Sequence, residues 1–229
     1  MHPRKRVVIN VATGGYINGQ NRLRSTFEKY CDSDLMLFTR EDEIGAPLHH
    51  DNPYAFKIYA WDKALQAGYK RILWFDASVF AIRNLKPIWD IIEMQGYIMQ
   101  EAGQWLGWWI NDRALEYFKL SRDDAMKMTC YGNAGFLGLD FDTIIASEFF
   151  EQWKNSMLAG CFKGAWTNKD KTESPDERCR GHRHDLACGS VIANRLGMKF
   201  QHAEHYMEYA PAETPPINDT IVLKACGMA

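Results

Sequence analysis

The segment RILWFDASVF, from Arg71 to Phe80, decides the fold. Residues 71–75 suit a buried strand because they are almost continuously apolar and include large side chains. One carboxylate, Asp76, follows where this strand ends, and the small residues Ala77 and Ser78 precede more strand-like sequence. A charge in such a place is either a turn residue or a ligand for something bound there. This segment alone leaves both interpretations open.

Strands and helices alternate on both sides of this segment. Strands are predicted at residues 7–12, 35–38, 71–75, 79–82, 97–100 and 198–201, with a glycine-broken strand at 129–139. Helices are predicted at 23–30, 53–66, 85–94, 143–158 and 185–196, with caps at 51–53, Ser121 and Asp142. The proline-rich residues 211–219 predict an irregular tail. The alternation predicts an α/β fold, a mostly parallel sheet with helices on both faces.

Composition and charge exclude several classes of protein. A chain of 229 residues suits a single domain, and no apolar run approaches the roughly 20 residues that span a bilayer. Net charge is −2 with scattered bases, which argues against a nucleic-acid partner. The apolar segment after the basic start is too short for a signal peptide, so we expect a cytoplasmic protein. The six cysteines contain no CxxC pair, so neither a disulfide framework nor a four-thiolate zinc site is expected.

Three segments follow predicted strands and should meet at one edge of the sheet. Parallel sheets bind ligands at the carboxyl ends of their strands, where the following loops form a crevice. The segments are residues 13–16, 76–78 and those after 201. In the first, Gly14 and Gly15 allow close approach of the backbone beside Thr13, and Tyr16 offers a ring to stack on a base. A simple tight turn is the structural alternative.

Five short segments, in their order and spacing, resemble a known family. They are TGGY at 13–16, KIYAWDKALQAGYKRILWFDAS at 57–78, NAGFLGLD at 133–140, HDLACGSVIANRLG at 184–197, and a histidine after the final strand. From residue 7 to about 206 the chain resembles glycosyltransferases of the A-type (GT-A) fold, especially the glycogenin and lipopolysaccharide galactosyltransferase group of family 8. The resemblance implies a single GT-A-like nucleotide-diphospho-sugar transferase domain over 1–229. Its nucleotide-binding half would cover about 1–100, and its sugar- and acceptor-binding half about 101–210.

The resemblance also implies a metal site. In that family an Asp-x-Asp motif coordinates a divalent cation, Mn²⁺ or Mg²⁺, and this cation binds the diphosphate of a UDP-sugar. Asp76 matches the first aspartate, but Ser78 stands where the second would be. Because a hydroxyl is a weaker ligand than a carboxylate, the metal is expected to bind loosely, to use other ligands or to be absent. His202 matches the histidine that completes the site, with His205 as its rival.

Other residues receive roles from the same resemblance. Lys57 would help to hold the diphosphate, or else it is a solvated lysine on a core-facing helix. Asn133 would hydrogen-bond the donor sugar, and Asp185 would line the same sugar pocket, although an aspartate there also suits a helix cap. We therefore assign catalysis to Asn133 and Asp185. His184 either contacts the acceptor or is simply exposed.

Three further features carry open interpretations. Trp105, Trp108 and Trp109 form either a platform for a sugar or part of the core. Residues 167–183 have the highest local charge of the chain and predict a mobile loop, of the length usual for a lid. The segment CRGHRH, residues 179–184, matches none of the usual zinc spacings.

The sequence thus predicts a glycosyltransferase that uses a UDP-sugar donor and a carbohydrate or glycoconjugate acceptor. The resemblance implies a divalent metal and retention of anomeric configuration. One rival is a nucleotidyltransferase, which usually has a basic, glycine-rich segment after its first strand, whereas here no base occurs until Arg22. The other rival is a non-catalytic module that binds nucleotide sugars.

Overall fold

The predicted strand at residues 71–75 is the central strand of a five-stranded sheet. The computed structural model describes residues 5–131, 135–202 and 204–227. Its strands are β1 (Arg6–Val11), β2 (Asp34–Phe38), β3 (Arg71–Phe75), β4 (Val79–Ala81), β5 (Tyr97–Met99), β6 (Glu101–Trp105), β7 (Thr129–Tyr131), β8 (Phe136–Asp140), β9 (Met207–Tyr209) and β10 (Leu223–Ala225).

Seven α-helices connect the strands of the described chain. They are α1 (Ile17–Tyr30), α2 (Ala55–Gln66), α3 (Lys86–Gln95), α4 (Asp112–Tyr117), α5 (Arg122–Ala125), α6 (Ile144–Leu158) and α7 (His184–Arg195). Short 3-10 turns occur at Gly14–Tyr16, Glu41–Ile44 and Leu106–Trp108. Within the described residues, none of the helices combines the length and the apolar character that crossing a membrane requires.

The central sheet is mostly parallel, as the sequence predicted. Its strand order is β2-β1-β3-β8-β5, and β1 pairs in parallel with both β2 and β3. Strand β8 is antiparallel to β3, and β5 is antiparallel to β8. Strand β5 therefore points in the same direction as β3, and among the described strands of this sheet only β8 is reversed. The fold is mixed α/β, consistent with a single GT-A-like domain.

Helices cover both faces of this sheet, and the strand residues alternate between two cores. Ile72 and Trp74 of β3 belong to the core beneath α2, α6 and α7. Leu73 and Phe75 belong to the opposite core, which contains side chains of α1 and α3. Burial of each large apolar side chain contributes about 1.5–3 kcal/mol. Because successive strand residues point to opposite faces, continuous burial of β3 requires helices on both sides.

Two strands flank the proline-rich residues of the C-terminal tail. Strand β10 pairs with β4 on one side and with β9 on the other, which forms a second, three-stranded sheet. Residues 211–219 contain no helix or strand, as predicted, but strand β10 after them was not predicted. A buried ion pair supports the arrangement, because Lys224 Nζ lies 3.5 Å from Glu208 Oε1 and also donates to the carbonyl of Pro211.

Other boundaries also differ from the predictions. Residues 198–201 do not form a strand; only Gln201 makes an isolated bridge, to Gln100. Residues 129–139 form two strands in different sheets, β7 and β8. Helix α2 begins at Ala55 without a side-chain cap, and α6 is preceded by Thr143 rather than capped by Asp142. The cap predicted at Ser121 is confirmed, since its side chain accepts from the amide of Asp124.

Candidate functional site

The carboxyl ends of β1 and β3 are tied together by buried polar side chains. The Nδ2 atom of Asn10 donates to the carbonyl of Phe75 over 2.7 Å, and Gln20 donates to Oδ1 of Asn10 over 2.8 Å. The amide of Asp76 donates to the carbonyl of Gly135 at 2.8 Å. Buried polar groups that are fully bonded in this way hold a backbone rigidly. Asp76 therefore leaves the sheet from a fixed position.

The carboxylate of Asp76 contacts one side chain of its own strand β3 and one of helix α2. Its Oδ1 atom accepts from the indole Nε1 of Trp74 at 2.7 Å and lies 3.2 Å from Nζ of Lys57. The side chain is 34% exposed, so part of the carboxylate remains accessible. Asp76 also begins a turn, because its carbonyl accepts from the amide of Val79 at 2.9 Å. The turn and the charged contact with Lys57 therefore occur together at Asp76.

Lys57 joins Asp76 to Asp185. Its Nζ atom lies 2.9 Å from Oδ2 of Asp185, and both side chains are buried. The alternative of a solvated lysine is therefore wrong. Asp185 lies in the first turn of α7, whose cap residue is Arg183, so the carboxylate of Asp185 pairs with an ammonium instead of capping the helix. Three charges that are distant in sequence thus form one cluster.

Burial and charge act in opposite directions on this cluster. Burial disfavours the ammonium of Lys57, but the two carboxylates outweigh this effect and raise its pKa. Burial raises the pKa of Asp185, and Lys57 limits the rise. With all three groups ionised, one ammonium faces two carboxylates. The cluster is then net negative, and its accessible member is Asp76.

The helices that carry Lys57 and Asp185 both begin at strained residues. Tyr54, which precedes α2, has φ of 60°, and His184, the first residue of α7, has φ of 46°. The left-handed region is unfavourable for residues other than glycine and is often found at functional sites. The rings of Tyr54 and His184 are 5.2 Å apart, and Nδ1 of His184 donates to the carbonyl of Phe162 at 2.8 Å. His184 is buried, so the expectation that it is exposed was wrong.

Two cavities meet at Asp76. The first has a volume of about 290 Å³ and contains five of the predicted donor-binding residues: Thr13, Tyr16, Asp76, Ala77 and Ser78. His49, Tyr54 and Phe56 also line it, and they were not predicted. The ring of Tyr16 is 56% exposed and is therefore available to a ligand. Gly14 and Gly15 form the 3-10 turn beside this cavity, and the φ of 54° at Gly14 favours glycine there.

The second cavity has a volume of about 250 Å³ and lies on the other side of Asp76. Its lining includes the whole charge cluster of Lys57, Asp76 and Asp185, together with Tyr54. Further lining residues that contribute polar or aromatic groups are Gln104, Trp109, Trp166, Arg183 and Tyr209. Asn133, which was predicted to bind sugar, lies outside the described residues, although its neighbour Gly135 lines this cavity.

The predicted metal ligands are only partly together. Asp76 and Ser78 line the first cavity, whereas His202 lines neither cavity, is 83% exposed and has Nε2 at 3.9 Å from Oε1 of Glu101. The ring of its rival His205 packs edge-on against Tyr206. Across residues 5–131, 135–202 and 204–227, no three His, Cys, Asp or Glu side chains form a group able to hold a metal ion. A one-carboxylate site at Asp76 still fits Mg²⁺, which proteins commonly bind with one or two carboxylates plus substrate phosphates.

The segment at 179–184 is structural. The thiol of Cys179 donates to the carbonyl of Ile110, and Nε2 of His182 donates to the carbonyl of Cys161 at 2.8 Å. Because the amide of Asn111 donates to Nδ1 of His182, the imidazole is neutral with its proton on Nε2. Cys179 and His182 thus have local partners, and their bonds connect the start of α7 to the preceding loops.

The three tryptophans near residue 105 have different surroundings. Trp105 is 45% exposed, Trp108 lies beneath the guanidinium of Arg180, and Trp109 lines the second cavity. The cluster is therefore neither a shared platform nor a single core. Residues 167–183 contain no helix or strand and are linked to α4 and α5 by hydrogen bonds from Asn111 to Glu173 and from Arg178 to Asp123. Their proposed role as a lid stays a prediction.

Several residues of the site were missed by sequence reasoning. Tyr54, Trp166, Arg183 and Tyr209 line the second cavity, although they occur in loops and in the tail. The sequence signal for Arg183 is its position two residues before Asp185. Tyr209 gave no such signal.

No protein-family model matches the chain, and no curated protein matches it in sequence. Among solved structures, it is similar to the bifunctional glycosyltransferase WbbM in its apo form, with a TM-score of 0.57, 10% identity and 98% of this chain covered. The chain spans 46% of the length of that protein. Mouse xyloside xylosyltransferase 1, also in apo form, matches with a TM-score of 0.49 and 10% identity over 91% of this chain and 88% of that one. The likeness to WbbM shows that the chain has a glycosyltransferase fold.

Proposed function

We propose that the protein is a glycosyltransferase that moves a sugar from a UDP-sugar to a carbohydrate or glycoconjugate acceptor. The observation that carries this proposal is the meeting of two cavities at Asp76, on the carboxyl edge of the parallel strands of a glycosyltransferase fold. Ligands of open α/β sheets bind at such edges. Two adjoining cavities suit a ligand with a nucleoside at one end and a sugar at the other.

The first cavity would receive the nucleoside. Tyr16 and Phe56 supply aromatic surface, and Thr13 supplies a hydroxyl beside the end of β1. A flat base buried against such rings gains contact area at low entropic cost, because aromatic side chains have few rotatable bonds. The choice of uridine over other nucleosides rests on the family resemblance.

The diphosphate would lie where the two cavities meet. The charge cluster is net negative when ionised, so a diphosphate beside Asp76 requires an additional cation. We propose that the accessible carboxylate of Asp76, with Ser78 nearby, holds a divalent ion together with the phosphate oxygens. When bound, such an ion supplies positive charge that stabilises the departing diphosphate. A role for His202 stays a prediction.

The second cavity would receive the donor sugar and the acceptor. Asp185 is buried and paired with Lys57, which restricts its carboxylate to one orientation. We propose that Asp185 orients hydroxyl groups of the donor sugar, with Asn133 as a second contact, rather than attacking the sugar carbon. Catalysis would then consist mainly of positioning and of stabilising charge on the leaving group. Retention of configuration is our expectation from the resemblance.

A panel of nucleotide sugars tests this proposal. Melting temperatures measured with and without Mn²⁺ should rise with a UDP-sugar, because a ligand that binds only the folded state stabilises it. The same UDP-sugar should then be hydrolysed slowly, or transferred when an acceptor is present. Stabilisation without any turnover would instead indicate a non-catalytic binding module. No response to any nucleotide sugar would refute the proposal.

A further inference from the structure

Arg183 lies between two indole rings at the edge of the second cavity. Its guanidinium carbon is 3.7 Å from the ring centroid of Trp109 and 3.7 Å from that of Trp166. One nitrogen, Nη1, donates to the carbonyl of Trp166 at 2.7 Å. The two rings cover the two faces of the guanidinium. Its remaining N–H groups lie in the plane of the guanidinium and point outward from its edge. The side chain is thus held flat, in a fixed orientation.

Arg183 makes no ion pair with any carboxylate among the described residues. The buried arginines elsewhere do: Arg71 lies 3.0 Å from Asp140, and Arg122 lies 2.6 Å from Asp112. Arg183 is half-buried, and burial lowers its pKa from the ordinary value without a carboxylate to offset it. A guanidinium that stays charged in a cleft without an acidic partner is suited to bind an anion from solution.

The position of Arg183 indicates which part of the substrate this anion belongs to. Arg183 lines the second cavity but not the first, and the two cavities share Tyr54 and Asp76. The proposed diphosphate lies at that junction, whereas Arg183 lies with Trp109 and Trp166, outside the first cavity. An anion held by Arg183 would therefore be carried by a sugar in the second cavity.

We propose that Arg183 anchors a carboxylate or phosphate on the sugar in the second cavity, so that the enzyme acts on an acidic saccharide. The claim that the protein acts on this saccharide as an enzyme rests on the proposed function. The claim that Arg183 binds an anion does not. The planar guanidinium of Arg183 can donate two parallel hydrogen bonds to either a carboxylate or a phosphate. The two flanking indoles fix the orientation of the guanidinium before an anion binds, which reduces the conformational entropy lost on binding.

Arg180 provides a matched control. It belongs to the same segment, stacks on Trp108 at 3.9 Å and, like Arg183, makes no ion pair within the described chain, but it does not line the cavity. Saturation-transfer NMR should be recorded with methyl glucuronide, glucose 6-phosphate and methyl glucoside on wild type, R183Q, R183K and R180Q. We expect wild type and R180Q to bind at least one acidic probe about tenfold more tightly than methyl glucoside.

R183Q should lose this preference, and R183K should keep part of it, since lysine retains the charge but not the planar fork. R183K keeps the test decisive if R183Q does not fold. Equal binding of acidic and neutral probes by wild type would overturn the proposal, as would an unchanged preference in R183Q. The relative affinities of glucuronide and phosphate distinguish the two kinds of acidic group.

A second arm separates this inference from the proposed function. UDP affinity should be the same in wild type and R183Q, because Arg183 lies outside the first cavity. A marked loss of UDP affinity in R183Q would show that Arg183 binds the nucleotide. That result would overturn the assignment of its anion to the sugar. A comparison of UDP-glucuronic acid with UDP-glucose tells whether the acidic sugar belongs to the donor or to the acceptor. Failure of UDP to bind at all would refute the glycosyltransferase proposal and leave the anion site standing on the NMR result.

Discussion

Lys57 Nζ lies 2.9 Å from Oδ2 of Asp185, and the two side chains are only 2% and 3% exposed. Removing one partner of a buried ion pair leaves an uncompensated charge, which costs about 3–5 kcal/mol. We expect K57M to lower the free energy of unfolding by roughly 3 kcal/mol, since it leaves Asp185 unpaired. D185N should cost less, because Asp76 remains 3.2 Å from Lys57.

Urea denaturation measures these changes, and the double variant K57M/D185N tests their coupling. We expect the double variant to lose less stability than the two single variants lose in sum, because both partners of the pair are then neutral. K63M, on the same helix α2, serves as the control and should change stability by less than about 0.5 kcal/mol. Additive losses would show that the two charges do not interact as the distances indicate.

Tyr16 provides the exposed ring of the first cavity. We expect Y16A to weaken UDP binding about tenfold, because the stacking of a base on an aromatic ring contributes about 1–3 kcal/mol. Isothermal titration with UDP measures the effect. Y117A is a suitable control, since Tyr117 is 42% exposed and lines neither cavity. Equal affinities for Y16A and Y117A would exclude Tyr16 from the nucleoside site.

Residues 167–183 are predicted to close over the bound donor, and Trp166 at their start lines the second cavity. Trypsin should cut wild type at Lys169 or Lys171, both exposed, and saturating UDP-sugar should slow this cleavage severalfold. Gel electrophoresis of timed digests measures the rate. Cleavage at an unchanged rate with donor bound would count against a lid.

His182 should make stability depend on pH. Burial lowers its pKa from 6.5 to about 3, so between these values the unfolded chain binds a proton that the folded chain does not. The stability due to the neutral ring is complete above pH 6.5 and is lost as the pH falls. Between pH 7 and pH 5 this loss amounts to about 2 kcal/mol.

Urea unfolding of H182Q at both pH values tests that sign. We expect the variant to be less stable than wild type at pH 7, yet to lose about 2 kcal/mol less on going to pH 5. H50Q is the control, because His50 is 76% exposed. If H182Q and wild type lose the same amount, the protonation of His182 is not coupled to unfolding.

The local pattern of the sequence was enough to predict the central strand and Asp76 at its end. Residues 72–75 are all apolar, so burial of this strand on both of its faces could be predicted directly. Lys57 and Asp185 were found only through the family resemblance, because their pairing joins residues 128 positions apart in sequence, and their burial could not be read from composition.

Other parts of the site depend on tertiary pairing that no short segment encodes. Strand β9 brings Tyr209 to the second cavity by pairing with β10, although the irregular residues 211–219 separate the two strands in sequence. Arg183 is one of several arginines in a polar stretch, and its importance appears only when Trp109 and Trp166 are placed on its two faces. Long-range packing, rather than propensity, decides these positions.

The central claim is that a donor diphosphate binds beside Asp76. Isothermal titration of UDP into wild type and D76N, with Mn²⁺ and again with EDTA, tests it most directly. The account predicts that Mn²⁺ strengthens UDP binding to wild type at least about tenfold, and that D76N, still folded, loses this effect. Equal UDP affinity in wild type and D76N under both conditions would contradict it.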